Sequence, residues 1–264
     1  MKAYFKLELK KNIFSLRTVI SILIILGTFM ITYLEEIRFP YPGLDGVDYF
    51  IRIHQFSYIS FVGPVVAGAI YSTSIIKDNE SEFTSKLLEI IDKNTYFKTK
   101  FAVNAIINSF VIVVSYGIFI LYLIINYGVS NDNVANINNG AFVMHAFIGV
   151  YQISKIAYAI IIFLATAMSS VAFSTFMLGI VTATRKKFIA YIFPIFYVIL
   201  TGIFFEMFLL NSLIDFNVIK LFDLTTNNLM NDLGVVVYDL ILTLLGMGIL
   251  YRVCYNRNVN LISE

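Results

Sequence analysis

Long apolar runs separated by short polar stretches set the pattern of this chain. A helix needs about 20 mostly apolar residues to cross the hydrocarbon of a bilayer. Six runs approach or exceed that length: residues 18–34, 56–76, 101–125, 156–182, 188–210 and 233–251. Backbone N–H and C=O groups in lipid have no water to bond, so each run is expected to be a helix that satisfies them internally. The first four runs contain no Asp, Glu, Lys or Arg; the fifth contains Glu206 and the sixth Asp239. The expected fold is an all-α polytopic membrane protein with six transmembrane helices. It forms a single transmembrane domain over residues 1–264, without internal repeats.

One stretch does not fit a simple span. Residues 141–182 would extend about 63 Å as a continuous helix at roughly 1.5 Å per residue, too long for one crossing. The segment before the fourth run is too short for a crossing of its own. Residues 145–155 are therefore read as an outer interfacial helix, or as an extension of the fourth span above the bilayer. The outer loops are then 126–155 and 211–232.

Composition narrows the class. Of 264 residues, 59% are hydrophobic and 14% charged. Soluble domains carry about 45–50% and about 25% respectively. With a mean hydropathy of +0.81, too few polar side chains are available to cover a water-facing globule. This excludes an ordinary soluble enzyme, a disordered chain and a nucleic-acid-binding domain. The single cysteine, Cys254, allows no intrachain disulfide and no Cys-rich metal site. The first apolar run is longer than a signal-peptide core and is followed by Glu35 and Glu36, so it is expected to be retained.

Net charge is only +2, so the placement of charge matters more than its sum. Lys2, Lys6, Lys10, Lys11 and Arg17 precede the first run. Lys77, Lys86, Lys93, Lys98 and Lys100 follow the second, Arg185, Lys186 and Lys187 follow the fourth, and Arg252 and Arg257 follow the sixth. These fifteen of the nineteen basic residues share one side of a six-span layout, opposite Arg38, Arg52, Lys155 and Lys220. Basic residues concentrate on the cytoplasmic side. Both termini are therefore expected in the cytoplasm, in a multi-pass protein of the plasma membrane.

Two segments on that side are amphipathic. In residues 1–17, Phe5, Leu9, Ile13 and Leu16 share a helical face, with Lys2, Lys6 and Lys10 on another. That pattern suits an elbow helix lying in the lipid interface with its lysines toward anionic headgroups. A basic flank that only sets topology is the alternative. In the loop 77–100, Phe83, Leu87, Ile90 and Ile91 fall on one helical face. Asp78, Glu80 and Glu82 stand at its N-terminal end, where the helix dipole favours acids. Asn94 or Thr95 is a candidate cap for the next helix. The apolar face of such a short helix needs cover, from a grooved soluble partner, from the protein's own helix ends or from lipid.

These residues resemble the permease subunit of an ATP-binding cassette (ABC) transporter of the ABC-2 (type V) exporter-like family. The likeness lies in the elbow helix, the six spans, and the stretch between spans two and three. Asp78, Glu80 and Glu82 match its acidic part, Thr84 with Leu87 and Leu88 its Thr-x-x-Leu-Leu, and Lys100 its lysine entering span three. Phe83 stands where the family has glycine, no proline is present, and Lys93 with Asn94 replaces a Ser-Arg pair. The resemblance implies that the loop, through Asp78, Glu80, Glu82, Phe83, Thr84, Leu87, Leu88, Ile91 and Lys100, is a coupling helix docking on a separate nucleotide-binding ATPase subunit. It implies a second six-span permease, the same or similar, as partner. ATP and Mg²⁺ would sit on the ATPase and no cofactor on this chain. The cargo it suggests is an antimicrobial peptide or a hydrophobic compound, moved outward.

Chemistry of the chain's own is not apparent. No Gly-x-x-x-x-Gly-Lys-Ser/Thr occurs, so no P-loop is present. No His-Glu-x-x-His occurs, and His54 and His145 lie far apart. No enzymatic activity is expected. Ionisable residues inside spans face protein or water, which makes Glu206 and Asp239, both in the outer half, candidates for a translocation path. An interfacial Glu206 and a satisfied Asp239 within the bundle are the plainer alternative. His54, His145 and Lys155 are read as interfacial. The small residues of 165–175 are expected to let helices approach closely. The aromatic residues Tyr197, Phe204, Phe205 and Phe208 suit a lipid-facing surface, the core or an apolar cargo path. A stand-alone ion-coupled transporter, or an accessory membrane protein, is the competing reading.

Overall fold

The computed structural model describes residues 2–38, 43–81, 83–130, 147–208, 216–223 and 232–255, and among these no strand occurs. The helices are α1 (Lys2–Ile13), α2 (Leu16–Glu36), α3 (Gly46–Phe56), α4 (Ile59–Ile70), α5 (Ser74–Glu80), α6 (Phe83–Leu88), α7 (Lys93–Tyr127), α8 (Ile148–Ile153), α9 (Lys155–Thr184), α10 (Ile189–Ile199), α11 (Phe205–Met207), α12 (Ile219–Phe222) and α13 (Asp232–Tyr255). Among the described residues six segments are long and apolar enough to cross a membrane: α2, α4 with α5, α7, α9, α10 through α11, and α13. The protein is an all-α, multi-pass membrane protein.

Helix α9 is central and packs against α13, α7 and α4. Its contact with α13 depends on missing side chains. A Cβ at Gly246 would lie 2.5 Å from the Thr175 carbonyl oxygen, and one at Gly179 would lie 2.7 Å from that of Gly246. The close approach expected of residues 165–175 thus continues a turn further along α9. Between α7 and α9 runs a polar seam. Asn104 Nδ2 donates to Ser174 Oγ at 2.9 Å, and Asn108 Nδ2 to Asn104 Oδ1 at 3.1 Å. Such bonds satisfy amides that lipid could not.

Several boundaries differ from the pattern-based reading. The elbow helix ends at Ile13, and Ser15 caps α2 by accepting from the Thr18 N–H. Phe5, Leu9 and Ile13, expected to face the lipid interface, pack on the protein core instead, whereas Leu16 opens the next helix and is exposed. The second span is interrupted over 71–73, dividing α4 from α5. Helix α7 is capped by Asp92 rather than by Asn94 or Thr95; its carboxylate accepts the Thr95 N–H at 2.9 Å. At 35 residues, α7 runs about 52 Å, so it outreaches a hydrocarbon core of roughly 30 Å. Residues 148–153 form a separate short helix, and the extended Ser154 divides it from α9 while capping α9 through its side chain. The fifth span carries a π-turn at Leu200–Phe204. Such turns cluster at functional positions.

Helix α3 is the element the sequence pattern does not announce. It is too short to span, yet nine of its eleven residues are buried. It packs against α7, α2 and α9, with Gly46 so close to α7 that a Cβ would lie 2.7 Å from the Ile124 backbone. It brings His54 into the core, fully buried among Phe29, Phe50 and Tyr116. The interfacial role expected for His54 is therefore corrected. Lys155 is corrected in the same way: it is 2% exposed, paired with Asp45 and with Asp48 at 3.1 Å. An outer segment was expected to leave that ammonium in water. Instead, Asp45 as the N-cap of α3 and Asp48 in its first turn gather it in. His145 lies outside the described residues.

Candidate functional site

The loop between spans two and three is built from two short helices rather than one. Helix α5 follows the break of the second span, and α6 comes after Glu82, which lies outside the described residues. Helix α6 ends at Leu88; the Ile90 and Ile91 N–H groups then turn back onto the Leu87 carbonyl. The expected single apolar face is consequently split. Leu87, Leu88 and Ile91 are half-buried, while Ile90 is 81% exposed and Phe83 37% exposed. Thr84 is buried and donates to Asn79 Oδ1 at 2.7 Å, tying α6 to α5. Glu80 points outward and pairs with Lys187, from the link between α9 and α10.

Asp78 and Lys100 face inward. Lys100 Nζ lies 2.6 Å from Asp78 Oδ2 and 2.6 Å from Oε1 of Glu8 on the elbow helix, and all three residues are buried. Tyr71, at the break of the second span, donates to Glu8 Oε1 at 2.7 Å, and Tyr96 donates to Asp78 Oδ2 at 3.1 Å. The rings of Tyr71 and Tyr96 lie 5.6 and 5.5 Å from the ammonium, a distance at which an aromatic face attracts a cation. Burial pushes the Glu8 carboxyl up, but the charge of Lys100 and the hydrogen bonds from Lys100 and Tyr71 outweigh it, leaving the group below its ordinary value of 4.5. One buried lysine thus fastens the elbow, the loop and the start of the third span to each other.

The two membrane acids have different surroundings. Glu206 is partly exposed beside Lys220 at 3.2 Å and accepts from Asn217 Nδ2 at 3.3 Å. Asp239 is buried at the seam of α9 and α13; Oδ2 accepts from Ser169 Oγ at 3.0 Å, and Oδ1 has no hydrogen-bond partner among the described residues. Asp239 therefore faces protein rather than lipid. No group of three or more His, Cys, Asp and Glu side chains suited to a metal comes together among the described residues.

Glu8, Tyr71 and Tyr96 escaped the reading of the sequence, although Lys100 did not. A signal was present: Glu8 is the lone acid in a segment of lysines, one helical turn from Phe5 on the apolar face. An acid there is buried against something, and a cation elsewhere is the natural partner. The cluster of Asp45, Asp48 and Lys155 at the other end had no comparable signal, because α3 itself was not foreseen. The chain matches no family model, no curated protein and no solved structure.

Proposed function

We propose that the chain is the membrane-spanning permease subunit of an ATP-driven exporter, similar to the ABC-2 family. It works as a homodimer, or as a heterodimer with a similar six-span chain, and binds two separate nucleotide-binding ATPase subunits at the loop 77–100. ATP and Mg²⁺ belong to those subunits. ATP binding closes them together, and the closure reaches the span bundle through α6, converting an inward-facing cavity to an outward-facing one. In physical terms ATP is the ligand that biases a two-state bundle. Both termini lie in the cytoplasm and the membrane is the plasma membrane. An amphipathic cargo, an antimicrobial peptide or a hydrophobic compound, suits the family likeness and the aromatic content.

The observation that carries this reading is the anchoring of the loop. Lys100, buried between Glu8 and Asp78, ties it to α1 and α7, while Phe83 and Ile90 stand exposed on its outer surface. A push on α6 would therefore reach three elements at once. Purification of the intact assembly from native membranes, with its companions identified by mass spectrometry, tests the proposal. A P-loop ATPase is expected with the wild type and is expected to be lost from Leu87→Asp/Ile91→Asp. Purification without any such ATPase, or equal recovery with the double variant, would overturn it.

A second reading, an ion-coupled transporter working alone, is favoured by Asp239, a buried acid in the sixth span with one carboxyl oxygen lacking a hydrogen-bond partner among the described residues. Flux that needs no nucleotide would decide for it.

A further inference from the structure

Where α1 turns into α2, the chain leaves a cavity of about 350 Å³ against α4 and α5. Lys11, Arg17 and Lys77 line it from three different helices. Among the described residues none of the three forms an ion pair; the nearby acids Glu8 and Glu80 are taken by Lys100 and Lys187. Arg17 Nη1 donates to Thr73 Oγ1 at 2.6 Å, so the break in the second span fixes that guanidinium at the cavity wall. Lys77 lies in the field of Arg17, Lys187 and Lys11, which Glu80 offsets only in part. Three like charges around one hollow repel one another until an anion enters. Ser74 supplies an independent sign. It lines the same cavity, is 9% exposed, and its Oγ is buried beside the Tyr71 hydroxyl without a well-formed hydrogen bond among the described residues. The N-terminal end of α2 also opens here, and its dipole favours negative charge.

The apolar surroundings indicate which anion. Phe14 and Leu16, at the same junction, are 80% and 73% exposed, and Val19, Ile20 and Leu23 continue an exposed apolar face along the spanning helix α2. Such a face on a spanning helix needs apolar cover, which acyl chains supply, and this sets the hollow at headgroup depth. We propose that this cavity binds the phosphate of an anionic phospholipid, with Lys11, Arg17 and Lys77 neutralising it, Ser74 donating to it, and the acyl chains lying along α2. Tyr71 lines the cavity and also donates to Glu8, so the bound lipid would brace the elbow against the second span. The inference rests on the membrane-spanning fold and is independent of the ATP-driven reading.

The full chain in detergent is titrated with phosphatidylglycerol, with phosphatidylcholine and with inorganic phosphate, and bound lipid is counted by native mass spectrometry. Retention of phosphatidylglycerol but not phosphatidylcholine is expected, without displacement by inorganic phosphate. Arg17→Gln/Lys77→Gln should weaken that retention by about tenfold or more. Arg17→Lys/Lys77→Arg should preserve it. Ser74→Asp, which keeps all three cations, should weaken it as well, and is read in parallel in case the charge-deleted variant does not fold. Equal retention of phosphatidylglycerol by wild type and Ser74→Asp, or equal retention of phosphatidylcholine, would overturn the site. Displacement by inorganic phosphate would overturn its assignment to lipid.

Discussion

Lys100 places one ammonium between two carboxylates from different helices, Glu8 and Asp78, all three out of water. Removing one partner of a buried pair strands a charge, which costs about 3–5 kcal/mol, whereas removing all the charges together costs far less. Lys100→Met should therefore lower stability in detergent by about that amount, and Glu8→Gln/Asp78→Asn/Lys100→Met should recover much of it; thermal unfolding of the purified variants measures both. The same site sets an acid limit. Because the Glu8 carboxyl is held below its ordinary value of 4.5, its contribution is fully present above that pH and is lost as pH falls through the lowered native value. The stability difference between wild type and Glu8→Gln should stay flat from pH 7 to about 4.5 and shrink only below it; a difference that shrinks between pH 7 and 5 would contradict the assignment. Lys100 was legible in the sequence because it stands at the mouth of an uncharged run. Its role as an inward anchor was not, since that depends on Glu8, ninety-two positions earlier.

The spanning elements were the most legible, because twenty apolar residues have few other places to go. The joints between them were not. The break over 71–73, the early end of α6 and the cap at Asp92 depend on local hydrogen bonds that hydropathy does not carry. Helix α3 was hidden for a different reason. Its eleven residues include Asp48, Arg52, His54 and Gln55, so it reads as a polar outer loop; Lys155 and the Tyr151 hydroxyl on Asp48, Glu36 on Arg52 and the aromatic rings around His54 make its burial tolerable. The α9–α13 contact was half legible. Small residues on α9 announced it, but its closest points are Gly179 and Gly246, which no periodicity singles out. Gly246→Leu should force the two helices apart and lower the unfolding temperature, because overpacking a tight contact costs about 1–3 kcal/mol. Gly248→Leu, where a Cβ meets nothing within 4 Å, should leave the temperature nearly unchanged; equal effects at the two positions would contradict the close approach.

At the scale of the molecule, two polar clusters tie its ends. One is Glu8, Lys100 and Asp78; the other is Asp45, Asp48 and Lys155. Between them the helices meet through an aromatic and aliphatic core, with small residues and amide hydrogen bonds where they approach most closely. That construction suits a bundle moved from outside by force applied at the anchored loop. The central claim is that the force comes from a separate ATPase. Reconstitution into sealed vesicles tests it most directly, with flux of a hydrophobic or amphipathic cargo followed in the presence and absence of ATP and of the co-purified ATPase. The account predicts flux only when the permease, the ATPase and ATP are all present, and its loss with Leu87→Asp/Ile91→Asp. Sustained flux through this chain alone, without nucleotide, would contradict it.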